Sequence, residues 1–372
     1  MELMRIWGLF CFYNMYLKNI EILNFRNINN LKLELNKNIN IFIGKNAQGK
    51  TSILESIYFL ALTKSLRSND ELNLISYGSD FLKVKGNINY GKSKNLEVIL
   101  KRNGKILKVN NILEKRVSNY ISNMNVIMFS PDDLDIVKKS PSFRRNLLNI
   151  ELCQLFPNYL RVLNEYNKIL KIRNEYLKKT SNINYDYFDI ITEKLIDRAI
   201  IIMNYRTKFI DNINNYVNKS FYKIMKKEGL YVKYDNNLGS FDKNSLLEFY
   251  KSNYNNEFLK KVTIYGPHRD DFSFILNDED LKLYGSQGQQ RVAILSFKLS
   301  EINLFKEVTG KFPIVLLDDI FSELDIEKRK NLLKFIKSNI QFIITTTDIN
   351  NISQKILDKA NIYNVKEGKI KK

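Results

Sequence analysis

A glycine-containing segment at residues 44–51, with the sequence GKNAQGKT, constrains the fold of this 372-residue chain more than any other feature. It follows a short apolar run that ends in glycine, at residues 38–44, which is typical of a buried parallel strand. It precedes residues 51–66, whose apolar side chains recur at three- and four-residue spacing and predict a helix. A strand, a glycine loop and a helix in this order predict an α/β domain that binds phosphate at the loop.

The residue types in this loop, the P-loop, suit a nucleoside triphosphate. Its glycines allow backbone N–H groups to wrap around the phosphates, and the positive end of the following helix strengthens the attraction. The last two residues are expected to contact the β- and γ-phosphates and Mg²⁺, respectively. The alternative is an ordinary strand-to-helix loop. The predicted ATP-binding residues are Gly44, Lys45, Asn46, Ala47, Gln48, Gly49, Lys50 and Thr51, with Thr51 also a metal ligand.

Two adjacent aspartates supply the second half of the predicted site. They end an apolar run at residues 312–319, which predicts a buried strand. Asp318 is expected to hold Mg²⁺ directly or through water, and Asp319 to act as the catalytic residue that polarises the attacking water. The alternative is an acidic pair that caps the following turn. Together with the P-loop, the pair predicts an ATPase with ATP and Mg²⁺ as its cofactors.

A polar loop opens another predicted helix at residues 283–295, with the sequence LYGSQGQQRVAIL. It contains no catalytic acid or nucleophile and no set of metal ligands. Backbone and hydroxyl donors at a helix N-terminus suit a γ-phosphate that is approached from the side opposite the P-loop. Residues 321–325, FSELD, are expected at the same seam. The alternative for both segments is a structural loop-to-helix junction.

The middle of the chain has a different pattern from its two ends. Apolar residues recur at helical spacing over residues 142–178 and 185–225, with Pro157 expected to interrupt the first run. We therefore predict one α/β core split by a helical insertion. The expected boundaries are an N-terminal extension at 1–14, the first core part at 15–130, the insertion at 131–260 and the second core part at 261–372. Met15 is the expected biological start, and a real but loosely docked tail is the alternative.

The charge balance points to a polyanion. Lys and Arg total 59 against 40 Asp and Glu, a net charge of +19, which favours nucleic acid or an anionic surface as partner. A solvated basic surface without a partner is the alternative. No single residue is chosen for DNA contact, although residues 138–145 contain the basic candidates Lys138, Lys139, Arg144 and Arg145.

Cysteine and histidine usage limits the chemistry further. Two cysteines and one histidine exclude a Cys/His metal cluster and a disulfide framework, and they fit a reducing compartment. No apolar run reaches the ~20 residues that a membrane span needs. We expect a cytoplasmic protein without a membrane partner.

Several motifs together resemble the RecF family of bacterial recombination and repair ATPases, relatives of the SMC/Rad50 and ABC ATPases. They are NAQGKT, FSPDDLDIV, YGPHRDDF, GSQGQQR, LLDDIFSELD and ITTTD, in this order from residue 15 almost to the C-terminus. The resemblance implies a core like the SMC/Rad50 head. It also implies that a signature loop, residues 285–289, closes over ATP held by a second subunit. Ser286, Gly288 and Gln289 are then expected to contact the partner's γ-phosphate, and Ser322 and Asp325 to lie at the dimer seam.

The sequence departs from the family pattern at few positions. Ser52 follows the P-loop where the family more often has asparagine, and Asn149 stands where it tends to have aspartate. Asp319 agrees with the family but replaces the glutamate of more distant relatives, so slow hydrolysis is expected. Transporter ATPases carry a switch histidine where Thr347 stands. His268 matches the family, and a hydrogen-bonded turn is at least as good an interpretation as a catalytic role.

The resemblance implies a function that the residues alone do not. ATP would join two chains into a homodimer on duplex or gapped DNA, and weak, DNA-stimulated hydrolysis would release them. The expected partners are DNA, RecR and RecO, and the expected task is to help load RecA during recombinational repair. Two alternatives remain: the ATPase subunit of a transporter, and a DNA-binding scaffold that uses ATP only as a ligand.

Overall fold

The computed structural model describes residues 14–65, 68, 70–179, 184–336 and 339–371. The predicted N-terminal extension therefore lies almost entirely outside the described residues. The chain divides into two compact units. The discontinuous unit contains the residues up to 131 and those from 301 onward, and the inserted unit contains residues 132–300.

Fifteen strands are present in the described part of the chain. In chain order they are β1 (Tyr16–Phe25), β2 (Ile28–Glu34), β3 (Ile39–Ile43), β4 (Phe81–Asn89), β5 (Ser93–Lys101), β6 (Gly104–Val109), β7 (Ile112–Leu113), β8 (Val126–Phe129), β9 (Leu230–Asp235), β10 (Asp271–Leu276), β11 (Glu279–Asp280), β12 (Ile314–Asp318), β13 (Phe342–Thr346), β14 (Ala360–Lys366) and β15 (Lys369–Lys371).

Ten α-helices are described as well. They are α1 (Lys50–Leu62), α2 (Val117–Ile121), α3 (Pro141–Leu155), α4 (Pro157–Lys179), α5 (Tyr185–Met225), α6 (Lys243–Lys260), α7 (Leu281–Tyr284), α8 (Gln287–Thr309), α9 (Ile326–Leu333) and α10 (Gln354–Leu357). Among the helices in the described ranges, none is both long and apolar enough to cross a membrane.

The core of the discontinuous unit is a six-stranded sheet in the order β15-β14-β3-β13-β12-β8. All neighbouring pairs are parallel except β14 with β15. Its central strands are the apolar runs predicted from the sequence, and β12 and β13 are buried along their whole length. Strands buried on both faces need continuous apolar sequence, which explains why these segments do not alternate.

A second six-stranded sheet of the same unit is antiparallel, in the order β2-β1-β4-β5-β6-β7. Its strand β4 alternates strictly between buried and half-buried residues, as expected for a sheet with one face in the core. Helix α1 packs between the sheets, because it contacts β4 and β5 as well as β12 and β13. Eleven of its thirteen residues are buried, so this helix is enclosed on nearly all sides.

The inserted unit contains the predicted helical runs. The run over residues 185–225 forms one helix, α5, and the earlier run is split into α3 and α4 at Phe156–Pro157, as the proline predicted. A buried ion pair joins α4 to α6, with 2.6 Å between Arg173 Nη2 and Glu257 Oε2. Because the Arg173 guanidinium also lies over the Phe188 ring, this pair fixes three helices together.

The inserted unit continues well beyond residue 260, where the helical insertion was expected to end. Strands β9, β10 and β11 form a small antiparallel sheet within it. The pairing of β9 with β10 ties residues 271–276 to the end of α5 rather than to the parallel core. Such pairing depends on long-range contacts that helical periodicity does not reveal.

Candidate functional site

The carboxyl ends of three parallel strands bring the predicted residues together. The P-loop follows β3, the acidic pair ends β12, and β13 lies between these two strands. Thr345 of β13 is paired with Asp318 on one side and with Phe42 on the other. Ligands bind in such crevices outside the carboxyl ends of parallel strands. A cavity of about 570 Å³ lies here, lined by residues 46–51, Asp318 and Asp319, whereas Gly44 and Lys45 do not line it.

The P-loop backbone has the shape that its glycines predict. Gly49 has a φ of 102°, in the left-handed region that side chains disfavour, and Ala47 adopts a φ of 63°. A Cβ atom on Gly44 would come within 2.4 Å of the Val365 carbonyl oxygen, so no larger residue fits there. The Gln48 side chain accepts a hydrogen bond from the Glu367 N–H at 3.0 Å, which anchors the loop to the β14–β15 turn.

The amine of Lys50 is folded back into the P-loop. Its Nζ donates to the Gly44 carbonyl oxygen at 2.6 Å and to the Lys45 carbonyl oxygen at 3.0 Å. Burial lowers the pKa of this amine, and the nearby carboxylates Asp319 and Asp318 only partly oppose the effect. The charged amine therefore sits in a position where additional negative charge would stabilise it.

Thr51 and Asp318 form the candidate metal site. The Thr51 hydroxyl donates to Asp318 Oδ1 at 2.9 Å, and the Thr345 hydroxyl donates to the same oxygen at 2.8 Å. Mg²⁺ takes oxygen ligands and commonly uses only one or two protein groups beside water and phosphate oxygens. A hydroxyl and a buried carboxylate in contact fit that ion. Within the described ranges, no group of three or more His, Cys, Asp or Glu residues could hold a metal.

Asp319 combines a left-handed backbone conformation with a buried carboxylate oxygen. Its φ is 49°, and its N–H donates to the Thr345 hydroxyl at 3.1 Å. Its carboxylate oxygen Oδ1 is buried and has no hydrogen-bond partner among the described residues. Burial raises the pKa of the Asp319 carboxyl, Lys50 counteracts this, and Asp318 adds to the increase. A buried acceptor without a hydrogen bond is energetically costly, so this oxygen is suited to accept from a donor group.

Other residues at the cavity were not predicted from the sequence. Arg26 lines it and forms an ion pair with buried Glu55, with 3.0 Å between Nε and Oε2. Tyr77 also lines the cavity, and its ring is fully exposed. Neither residue belongs to a recognisable motif, and both come from the turns around the antiparallel sheet. Thr345 was missed as well, although its position beside Asp318 follows from the strand register.

Hydrogen bonds of the Gln289 and Gln290 side chains fix the shape of the signature loop. Ser286 is the residue before α8, and its hydroxyl accepts a hydrogen bond from the Gln289 N–H at 3.2 Å. The Gln289 side chain returns a bond, because its Oε1 accepts from the Ser286 N–H at 2.8 Å. This reciprocal pair is a capping box. Gln290 donates to the Leu281 carbonyl oxygen at 2.7 Å and so holds the preceding turn. Ser286, Gly288 and Gln289 belong to the inserted unit, whereas the cavity is lined by residues of the discontinuous unit.

The two residues predicted at the dimer seam follow the acidic pair. The Ser322 hydroxyl donates to the Asp319 carbonyl oxygen at 2.6 Å. Asp325 caps α9 by accepting from the Lys328 N–H at 2.9 Å, and hydrogen bonds from Lys328 hold the pKa of its carboxyl below the usual range. Both side chains are exposed, so they are available to another surface.

His268 has both ring nitrogens engaged. Its Nε2 lies 3.1 Å from the Thr263 carbonyl oxygen, which can only accept, so Nε2 carries the proton. Its Nδ1 then accepts from the Tyr166 hydroxyl at 2.6 Å. Burial lowers the pKa of His268 to about 4, so the ring is neutral at pH 7. This arrangement agrees with the hydrogen-bonded turn and offers no free nitrogen for acid–base work.

Comparison with known proteins places the chain in a family. The model of the RecF/RecN/SMC N-terminal domain matches residues 16–371. The DNA replication and repair protein RecF of Ligilactobacillus salivarius is 39% identical over 369 residues, covering 96% of this chain and 97% of that protein. The RecF protein of Streptococcus agalactiae serotype Ia is 40% identical over 362 residues, with 96% and 98% of the two chains covered.

Solved structures agree with these relatives. A structure described as the recombination mediator protein RecF-ATP in the RecFOR pathway has a TM-score of 0.89 and 31% identity, covering 98% of this chain and 99% of that one. An Smc head bound to the C-winged helix domain of ScpA has a TM-score of 0.54 at 16% identity over 96% of both chains, and it supports the fold alone. The chain therefore belongs to the RecF family, within the wider group that shares the RecF/RecN/SMC N-terminal domain.

Proposed function

We propose that this protein is a DNA-repair ATPase that binds ATP at the P-loop, pairs with a second copy of itself and hydrolyses ATP slowly to separate again. One observation carries the proposal: Lys50, Thr51, Asp318 and Asp319 converge on one cavity at the carboxyl ends of the parallel sheet. The RecF-ATP complex of a 31% identical relative supports the choice of nucleotide.

Lys50 binds the β- and γ-phosphates in this account. Its amine must exchange the carbonyl oxygens of Gly44 and Lys45 for phosphate oxygens. The exchange replaces the lost hydrogen bonds and places negative charge next to the buried positive amine. The backbone N–H groups of the P-loop and the N-terminus of α1 complete the cradle. Tyr77 offers an exposed aromatic face at the rim, where a nucleotide base can stack.

Thr51 and Asp318 would hold Mg²⁺, which neutralises charge on the β- and γ-phosphates when it is bound. Asp319 accepts a hydrogen bond from the attacking water and orients it. The water oxygen forms a bond to the γ-phosphorus while the bond to the ADP oxygen breaks, and Asp319 takes the water proton. The partnerless Oδ1 of Asp319 supports this role, since a water at that oxygen satisfies it. Aspartate reaches less far than glutamate, so we expect slow turnover.

The signature loop serves the nucleotide of a second copy. Three features support this: its hydroxyl and N–H donors lie at the N-terminus of a long helix, its shape is fixed by the capping box, and Ser286 is exposed. Ser286, Gly288 and Gln289 would donate to the partner's γ-phosphate. Exposed Ser322 and Asp325 would lie at the seam, where Ser322 also links the seam to the Asp319 backbone.

Replacing Ser286 with arginine tests this assignment. A bulky cation at the loop should abolish the ATP-dependent dimer, whereas the affinity of the monomer for ATP should stay within about twofold, because Ser286 belongs to the other chain's site. Light scattering with ATP and with ADP measures the dimer, and nucleotide titration measures the affinity.

A matched control is Ser252→Arg, which adds the same side chain at an exposed position on α6. It should dimerise normally. Since Ser286 also caps α8, thermal unfolding of both variants separates a folding defect from a dimer defect. If Ser286→Arg formed normal ATP-dependent dimers, the signature loop would not be part of the partner's ATP site.

DNA is the proposed polyanion, and RecO and RecR the proposed protein partners in loading RecA, in the cytoplasm. The net charge of +19 and the role of the RecF relatives in DNA replication and repair support DNA. If lysines and arginines neutralise backbone phosphates, the logarithm of the binding constant should fall by about 0.9 per log unit of salt for each phosphate. Six contacts would cost about 10³-fold between roughly 50 and 200 mM salt. Duplex binding measured over a salt series decides the point, and a flat response would leave the charge without this explanation.

A further inference from the structure

A small polar pocket in the inserted unit has no role in the proposed ATP site. It has a volume of about 260 Å³ and lies where α3 and α4 meet the segment around His268. Among the described residues that line it, none is an aspartate or glutamate. Its polar lining is contributed mainly by Arg145, Asn146, Asn149 and Asn167, together with Arg206.

The four basic candidates between residues 138 and 145 have different environments. Arg144 is buried and forms a two-pronged ion pair with Asp271, at 2.7 Å and 2.6 Å, so it is not available to a ligand. Lys139 donates to the Asp132 carbonyl oxygen at 2.8 Å and lies over the Phe143 ring. Lys138 is exposed and lines no described cavity. Arg145 alone among the four lines the pocket.

The guanidinium of Arg145 has spare donors. Its Nη1 donates to the Asp270 backbone carbonyl oxygen at 2.7 Å, and no carboxylate of the described residues forms an ion pair with it. The Asp270 carboxylate is occupied by Arg206, by Tyr234 and by the Asn237 N–H. Burial and the neighbouring Arg206 lower the pKa of Arg145, and the nearby Asp271 and Asp270 only partly oppose the effect.

The amides around Arg145 also have donors to spare. Asn149 Oδ1 accepts from Tyr159 and Arg206, which leaves its NH₂ group without a partner among the described residues. The side chains of Asn146 and Asn167 form no hydrogen bonds within the described part of the chain, and both are exposed. One guanidinium and three amides around a pocket without carboxylates match the donor set that binds an oxyanion.

We propose that this pocket binds a phosphate group, with Arg145 as the charged contact and Asn146, Asn149 and Asn167 as neutral donors. The ligand is a tetrahedral phosphoryl anion, supplied either by a nucleic-acid backbone or by free phosphate. The neutral His268 ring adds no negative charge to the pocket, and the Asp270 carboxylate, which is paired with Arg206, does not line it. Every residue that lines the pocket belongs to the inserted unit.

Inorganic phosphate tests the pocket itself. The Lys50→Ala chain serves as background, because its P-loop no longer competes for phosphate. At constant ionic strength, phosphate at about ten times its dissociation constant should raise the midpoint of thermal unfolding by about 2–4 °C. Adding Arg145→Gln, or adding Asn167→Asp, should remove this rise. Asn167 is exposed, so the second change introduces a repelling charge without disturbing the core.

Duplex DNA tests the source of the phosphate in the chain with its normal P-loop. Asn167→Asp and Arg145→Gln should each weaken duplex binding by about tenfold, and Arg145→Gln should reduce the salt slope by about 0.9. Asn215→Asp is the matched control, since it adds the same charge at an exposed position on α5 outside the pocket. ATP affinity should be unchanged in all three, which separates a failure here from a failure of the proposed ATP site.

The phosphate and DNA experiments together distinguish three outcomes. If the variants lose both the phosphate-dependent stabilisation and DNA affinity, and Asn215→Asp binds DNA normally, the pocket binds a backbone phosphate. Loss of the phosphate-dependent stabilisation with unchanged DNA binding assigns it to free phosphate. If folded Arg145→Gln and Asn167→Asp chains keep both the phosphate response and the DNA affinity of their parents, the pocket does not bind phosphate.

Discussion

Replacing Lys50 with alanine is expected to lower the rate of ATP hydrolysis by about 10²- to 10³-fold, the usual loss when one donor to a reacting oxyanion is removed. The amine lies inside the P-loop, where it donates to two carbonyl oxygens that phosphate oxygens can replace. Single-turnover hydrolysis and ATP titration measure the loss, and both rate and affinity should fall.

The fold should survive this change. Burial of the charged amine lowers the pKa of Lys50 and so offsets part of the stabilisation from its two hydrogen bonds, and the midpoint of thermal unfolding should change little. Lys92→Ala is a suitable control, since it removes an exposed lysine of the same unit away from the cavity. Wild-type hydrolysis by a folded Lys50→Ala chain would contradict the assignment of the P-loop.

Replacing Asp319 with asparagine should slow hydrolysis by about 10²- to 10⁴-fold, as expected when a general base is removed, while ATP binding and the ATP-dependent dimer persist. Asparagine is the appropriate substitute, because it tolerates the left-handed φ of 49° and keeps the size of the side chain. The dimers of this variant should decay more slowly than those of the natural chain. Unchanged single-turnover hydrolysis would mean that another group orients the water.

The rate of ATP hydrolysis is expected to fall on acidification as Asp319 becomes protonated. Asp319 must be ionised to accept a proton, and burial raises its pKa above the ordinary range. Hydrolysis by the natural chain should therefore decline on acidification at a higher pH than an unperturbed aspartate would cause. Asp319→Asn should lack this acidic limb and retain only the residual rate.

Much of the core could be predicted from the sequence because its signals are local. The strand before the P-loop, helix α1 and strands β12 and β13 are continuous apolar segments bounded by glycine or acidic residues, and the structure contains each of them. The 41-residue helix α5 was equally clear, since its apolar side chains keep helical spacing throughout.

The remaining features depend on contacts between distant segments. Nothing near Arg26 or Tyr77 in the sequence places them at the cavity, because their positions follow from the antiparallel sheet. The sheet of β9–β11 was hidden within a region dominated by helical periodicity. Arg144 and Arg145 are adjacent and chemically identical, yet one is buried against Asp271 and the other lines a pocket. Only the tertiary structure separates them.

The central claim is that each ATP site is built from two chains, and mixing two inactive variants tests it most directly. Lys50→Ala lacks a working P-loop but keeps its signature loop, and Ser286→Arg has the opposite defect. A dimer that contains one chain of each variant has one intact composite site, formed by the P-loop of the Ser286→Arg chain and the signature loop of the Lys50→Ala chain. Hydrolysis by an equal mixture should therefore rise well above that of either variant alone. A mixture no more active than either variant alone would contradict a site shared between chains.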